Sequence, residues 1–275
     1  MENTTEVTVE VKQKAFDKRI HEVDLIRGIL IIFVIVDHLL NCFLLHSTSF
    51  YEITGNSFWN GMYNAMVFYW NNPARTVIRW VILALFCFIS GVSCSFSRNN
   101  WKRAAEAIFL AGIISVATNL GASWGVFGQD IRIDHNIIAV IGFSTLFYCF
   151  FQNKSTKTLL IVTGCLLLFS VVAVPLLYNL IPGAKNTFIP PLWKPEEVHQ
   201  GDWMPLFPYI TFFFAGAIVS RYLYKDKTSK IKKHEWERPI CFLGRHTLIV
   251  YVTHYLIFMG IFKLIEAILR VAFRS

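Results

Sequence analysis

The apolar run RGILIIFVIVDHLL, residues 27–40, carries an arginine at its start and an adjacent aspartate and histidine near its middle. Arg27 and His38 are eleven positions apart, so on a helix they differ by only about 20° around the axis and about 16 Å along it, and share one face. Asp24 and Asn41 fall within about 60° of the same line and Asp37 flanks it. The other faces carry Ile, Leu, Val and Phe. A neutral imidazole takes up a proton near physiological pH and returns it, which suits general acid–base chemistry. An ionisable group at membrane depth is expensive, and it marks a polar path or a reaction centre. The competing reading is structural: Arg27 snorkels to the headgroups, while His38 and Asp37 hydrogen-bond a neighbouring helix. Neighbouring side chains on a helix point about 100° apart, so Asp37 is poorly placed to orient His38 directly and is open to a substrate-binding role.

A second polar face lies in GRHTLIVYVTHYL, residues 244–256. Thr247, Tyr251 and His254 stand at i, i+4 and i+7, with Arg245 and His246 at the mouth of the same helix. Facing the first stripe, these residues complete a polar channel; alternatively they make interhelical hydrogen bonds. FISGVSCSFSR (88–98) gathers Gly91 and four serines, which allow close helix packing. In GDWMPLFPYI (201–210), Asp202 and Trp203 precede Pro205 and Pro208. The prolines either expose backbone to a cavity or simply end a loop. The stretches around 124–135 and 189–197 are candidate covers for a substrate mouth.

Membrane helices must position these groups. Of 275 residues 55% are hydrophobic and 16% aromatic, and the mean hydropathy of +0.48 exceeds that of ordinary globular chains. Seven apolar runs, near 26–46, 76–97, 104–121, 136–152, 158–180, 205–223 and 246–268, predict an all-α, polytopic transmembrane helix bundle of about seven spans. FWNGMYNAMVFYW (58–70), rich in Trp, Tyr and Asn, suits the membrane interface better than a span. Residues 1–24 form a polar arm, and the run after it lacks the short apolar core and cleavage site of a secretory signal. Lys and Arg gather in that arm (Lys12, Lys14, Lys18, Arg19), at 98–103, at 154–157 and at 221–238. With seven spans these segments share one side, which the positive-inside rule makes cytoplasmic, amino terminus included. Loops 47–75, 122–135 and 181–204 then face outward.

The net charge of +8 is thus a topology signal with some attraction to anionic lipid, and no recognition module accompanies it to suggest nucleic acid. Cys42, Cys87, Cys94, Cys149, Cys165 and Cys241 show no metal-ligand spacing, so no metal is expected. There is no internal repeat of the kind common in transporters.

RIHEVDLIRGILIIFVIVDH (19–38), FCFISGVSCSFSR (86–98), PLFPYITFFFAGAIVSR (205–221) and FLGRHTLIVYVTHYLI (242–257) resemble, in this order, the family that includes the catalytic region of heparan-alpha-glucosaminide N-acetyltransferase. The spacing of Arg27 and His38 is also similar to the first-helix motif of the wider transmembrane acyltransferase superfamily. The resemblance implies transfer of an acetyl group from acetyl-CoA to a sugar amine or hydroxyl on the outer face, through a tunnel in a helix bundle. It makes 25–270 the acyltransferase domain, in a multi-pass protein of a prokaryotic cytoplasmic membrane, with a homodimer left open. His38, Asp37 and His46 become the catalytic candidates. Arg27, Arg245 and His246 would bind CoA, and Asn41, Tyr251, His254 and Asp202 the acceptor. The chain departs from the pattern at NIIAVIG (136–142), where Ala139 replaces the usual histidine and His135 lies one turn earlier. Within the family an asparagine can stand at the position of Asp37 with the histidine farther outward. The choice between His38 and His46 as the base therefore stays open. The reading from a different class is a proton-coupled small-solute transporter using His38, Asp37 and His254 as a relay.

Overall fold

In a computed structural model, residues 20–124, 132–194 and 201–273 are described. The basic residues of the amino-terminal arm, most of the 124–135 stretch, and Glu196 and Glu197 lie outside them. In chain order the helices are α1 (His21–Thr54), α2 (Ser57–Trp70), α3 (Pro73–Cys94), α4 (Asn100–Ser123), α5 (Ile137–Cys149), α6 (Thr156–Leu168), α7 (Val174–Leu180), α8 (Tyr209–Leu223), α9 (Arg238–Arg245) and α10 (Thr247–Ala272). No strand occurs among the described residues, only two isolated bridges. The chain forms two compact units, one of residues 1–82 and 229–275 and the other of residues 83–228.

Among the described residues five helical stretches are long and apolar enough to cross a membrane: α1, α3, α4, the stretch from α6 through α7, and α10. The fourth and sixth apolar runs give shorter helices than the sequence predicts. α5 has 13 residues and α8 has 15, or about 20 and 22 Å, less than the roughly 30 Å of hydrocarbon. Their starts are set chemically. Asn136 caps α5 by accepting from the Ala139 N–H, and Pro208 stands at the N-cap of α8. Between α6 and α7 the helix widens into a π turn over Phe169–Ala173. The cause is Pro175, which lacks an N–H and whose ring crowds the carbonyl four residues back.

In the first unit α1 runs 34 residues and stops at Gly55, whose φ of 64° is left-handed and whose N–H bonds to the Tyr51 carbonyl. α10 lies beside α1 in parallel: His38 meets His254, and Ser49 meets Glu266. α2 returns antiparallel, with Trp59 on Phe50 and Tyr69 at Asp37. α9 is antiparallel too and approaches α1 backbone to backbone. A Cβ on Gly28 would fall 2.0 Å from the Ile240 carbonyl oxygen, and one on Gly244 1.8 Å from that of Asp24. At the start of α1, Glu22 accepts the Lys230 N–H and the Ser229 hydroxyl, and His21 meets Glu237 at 2.5 Å. The His234 N–H and His21 together hold the Glu237 carboxyl below the usual range. These contacts pin the segment that leads into α9.

The second unit has the same logic. Gly91 on α3 sits against Phe213 of α8, and Gly216 on α8 against Phe88 of α3, an antiparallel crossing set by two missing side chains. At one end Arg221 donates to the Gln152 and Lys154 carbonyls at 2.7 and 2.6 Å, and Asn100 donates to Gln152. At the other, Asn119 donates to Asp134 and the Met204 N–H to the His135 carbonyl. The turns at Asn100, 152–154 and Arg221 thus gather at one end of this unit.

A leucine at Gly91 would place its Cβ 1.9 Å from the Phe213 carbonyl oxygen, whereas Gly112 has nothing within 4 Å. Gly91→Leu is therefore expected to destabilise by more than the roughly 1–3 kcal/mol of ordinary overpacking. Gly112→Leu should leave the melting temperature in detergent near that of the parent.

Candidate functional site

The first unit assembles the polar groups of α1 along its seam with α10. His38 Nδ1 lies 2.6 Å from His254 Nε2. The ring planes are only 12° apart and the centroids 4.9 Å apart. With the nitrogens so close, that centroid distance leaves the rings edge to edge in nearly one plane, an in-line hydrogen bond rather than a face-to-face stack. His254 Nδ1 lies 2.8 Å from the Val250 carbonyl, one turn back on its own helix. A carbonyl only accepts, so Nδ1 of His254 carries the hydrogen and its Nε2 the lone pair. His38 must then donate from Nδ1, which leaves the His38 lone pair on Nε2. Tyr255 packs edge-on against His38, and Tyr251 lies 6.0 Å from His254, centroid to centroid.

Asp37, one residue away, is held on another side of α1. Arg75 donates to both of its oxygens at 2.8 Å, from Nε and Nη2, and the Tyr69 hydroxyl donates at 2.8 Å. The Arg75 guanidinium lies 3.5 Å from the centre of the Trp70 ring. The corner between α2 and α3 is thus clamped to the middle of α1 beside His38. Planar, bidentate pairing with a cation on a ring is a geometry lysine cannot reproduce.

Farther along the seam His46 is buried, with rings of Phe50 and Phe262 beside it. Its Nδ1 is 3.7 Å from Glu266. Glu266 accepts from Ser49 at 3.0 Å, Lys263 at 3.0 Å and Arg270 at 2.7 Å. An apolar layer of Cys42, Phe43, Phe258 and Met259 lies between this group and the histidine pair.

Among the remaining predicted residues, Arg27 and Asn41 are half-buried on α1. Arg245 donates to the Cys241 carbonyl within α9, and His246 packs on Phe242. Asp202 belongs to the second unit, near His135, whose Nδ1 lies 2.5 Å from the Met204 carbonyl. Burial pushes the His135 imidazole below its ordinary range. Among the described residues no group of three His, Cys, Asp or Glu side chains is placed to hold a metal.

Reasoning from the sequence missed Arg75, Tyr69, Trp70 and the Glu266 cluster. Two signals were available. Arg75 is a cation next to an apolar run on the side read as poor in basic residues, and Lys263, Glu266 and Arg270 are spaced i, i+3 and i+7 on one helix face.

Arg75→Ala leaves the Asp37 carboxylate without its main partner, a fully buried case of which costs about 3–5 kcal/mol. The side chains are 11% and 21% exposed, so a loss of about 1–3 kcal/mol is expected for the single variant. Chemical denaturation in detergent should show the double variant Arg75→Ala/Asp37→Ala to be less destabilised than Arg75→Ala alone.

The family described as heparan-alpha-glucosaminide N-acetyltransferase, catalytic, matches residues 19–256. No curated protein and no solved structure matches the chain. The matched stretch contains His38, Asp37, Arg75 and His254, and it ends before Lys263, Glu266 and Arg270. Because the match covers most of its length, this chain belongs to the heparan-alpha-glucosaminide N-acetyltransferase catalytic family.

Proposed function

We propose that the protein is a membrane acetyltransferase that moves acetyl from acetyl-CoA to a sugar amine or hydroxyl on the outer face, with residues 25–270 as its catalytic domain. Family membership supports the general activity. The observation that carries the residue assignment is the in-line pair of His38 and His254.

A thioester is already activated, so catalysis requires alignment, proton removal and stabilisation of charge at the carbonyl oxygen. His38 Nε2 takes the proton from the acceptor N–H or O–H as that atom attacks the acetyl carbonyl carbon. The C–S bond then breaks, and the sulfur of CoA receives the proton from His38, which restores the neutral imidazole. While His38 is positive, its Nδ1–H bond to His254 becomes charge-assisted and shortens the gap between the two protonation states. The Val250 carbonyl keeps His254 in the tautomer able to accept it. Asp37, neutralised by Arg75, fixes the register of the α2–α3 corner against His38 and leaves proton transfer to the histidines.

In this reading Arg27, Arg245 and His246 meet the phosphates of CoA from the cytoplasmic side, where the guanidinium groups suit phosphate recognition. Asn41 and Tyr251 serve the acceptor. A proton-coupled transporter relay would need Asp37 to exchange protons freely, and its bidentate pairing with Arg75 opposes that.

His38→Ala is expected to lower the rate of acetyl transfer to glucosamine by about 10²–10⁴-fold, the usual worth of general acid–base catalysis, while acetyl-CoA binding measured by calorimetry persists. His254→Gln should lose less than His254→Ala, since its amide oxygen can still accept from His38. Full activity in His38→Ala, or coupling of solute uptake to a proton gradient without transfer, would refute the assignment.

A further inference from the structure

The group around His46 is built differently from the histidine pair. Glu266 faces two cations, Lys263 and Arg270, so the cluster carries one positive charge in excess even before any ligand arrives. The Lys263 and Arg270 side chains are 58% and 55% exposed, whereas Glu266 and His46 are buried. The Glu266 carboxylate lies 3.7 Å from His46 Nδ1, beyond direct hydrogen-bond range, and leaves the other ring nitrogen, Nε2, facing away from the cluster's carboxylate. That Nε2 is buried with no hydrogen-bond partner among the described residues. A buried ring nitrogen left without a partner is unfavourable, and a ligand hydroxyl, which both donates and accepts, would satisfy it.

The surroundings specify what else such a ligand carries. Leu256, Lys263 and Arg270 follow one another at seven-residue intervals and so lie nearly on one line of α10. Before the cations on that line, Ile249 and Leu256 are exposed apolar side chains. A membrane-spanning helix that changes from exposed apolar residues to paired exposed cations places those cations at headgroup level. Positive charge there meets phosphate, and the apolar strip meets acyl chains. The geometry points to a seat for the headgroup of an anionic phospholipid bearing hydroxyls: the phosphate between Lys263 and Arg270, a headgroup hydroxyl hydrogen-bonded to His46 Nε2, and the chains along the exposed Ile249 and Leu256 of α10. Acetyl transfer is not needed for this binding, and the site stands or falls apart from it.

The test uses the full chain in vesicles of phosphatidylcholine alone and of phosphatidylcholine with phosphatidylglycerol, with the melting temperature as readout. The parent and His38→Ala should both melt higher with phosphatidylglycerol. Lys263→Gln and Arg270→Gln, each of which leaves Glu266 one cationic partner, should lose at least half of that rise, and His46→Ala part of it. Inorganic phosphate added to phosphatidylcholine vesicles should give no comparable rise. An equal rise in all variants places the lipid elsewhere and overturns the site, as does no rise in the parent. A rise reproduced by inorganic phosphate overturns the lipid as its occupant.

Discussion

Two imidazoles meeting at membrane depth can share only one hydrogen at their contact. If both nitrogens carried one they would repel, and if neither did, two lone pairs would be left facing each other. The Val250 carbonyl decides between the alternatives by claiming the hydrogen on His254 Nδ1. Everything asked of His38 follows from that choice, because its own hydrogen is then committed to His254 and its lone pair lies on Nε2. The parallel course of α1 and α10 makes the contact possible. That course also requires the chain to cross the bilayer an odd number of times if both helices span it.

The other charged groups on α1 serve to hold helices rather than to move protons. Asp37 is satisfied by Arg75 and Tyr69, and Arg75 in turn rests on Trp70. An unpaired carboxylate at this depth would be costly, and pairing it with a guanidinium on a ring removes most of that cost while tying two further helices to α1. Close glycine contacts do the rest. Gly28 and Gly244 bring α9 against the start of α1, and the same device joins α3 to α8 in the other unit.

Much of this was legible in the sequence because periodicity and hydropathy act locally. The 3.6-residue repeat put Arg27 and His38 on one face, and i, i+4, i+7 spacing put Thr247, Tyr251 and His254 on another. Run length marked the long helices, and it overstated α8, whose start Pro208 delays, and α5, whose end breaks into turns over residues 150–154. Pairing partners were less visible. Nothing local to Asp37 says that its partner is Arg75, since their meeting depends on α2 folding back along α1. Likewise the contact of His38 with His254 spans 216 positions of sequence, and only the packing of α10 brings it about. Which histidine serves as the base was open from the residues alone; the structure distinguishes their surroundings, one in line with a second imidazole and the other beside a carboxylate with two cations.

The tautomer of the histidine pair is the most direct point of attack. In protein labelled with nitrogen-15 at histidine and held in detergent at neutral pH, with signals assigned by His38→Ala and His254→Ala, both rings are expected to show a protonated Nδ1 and an unprotonated Nε2. A His254 ring protonated at Nε2, or a His38 ring bare at Nδ1, would reverse the direction of the bond between them and contradict the proposed base.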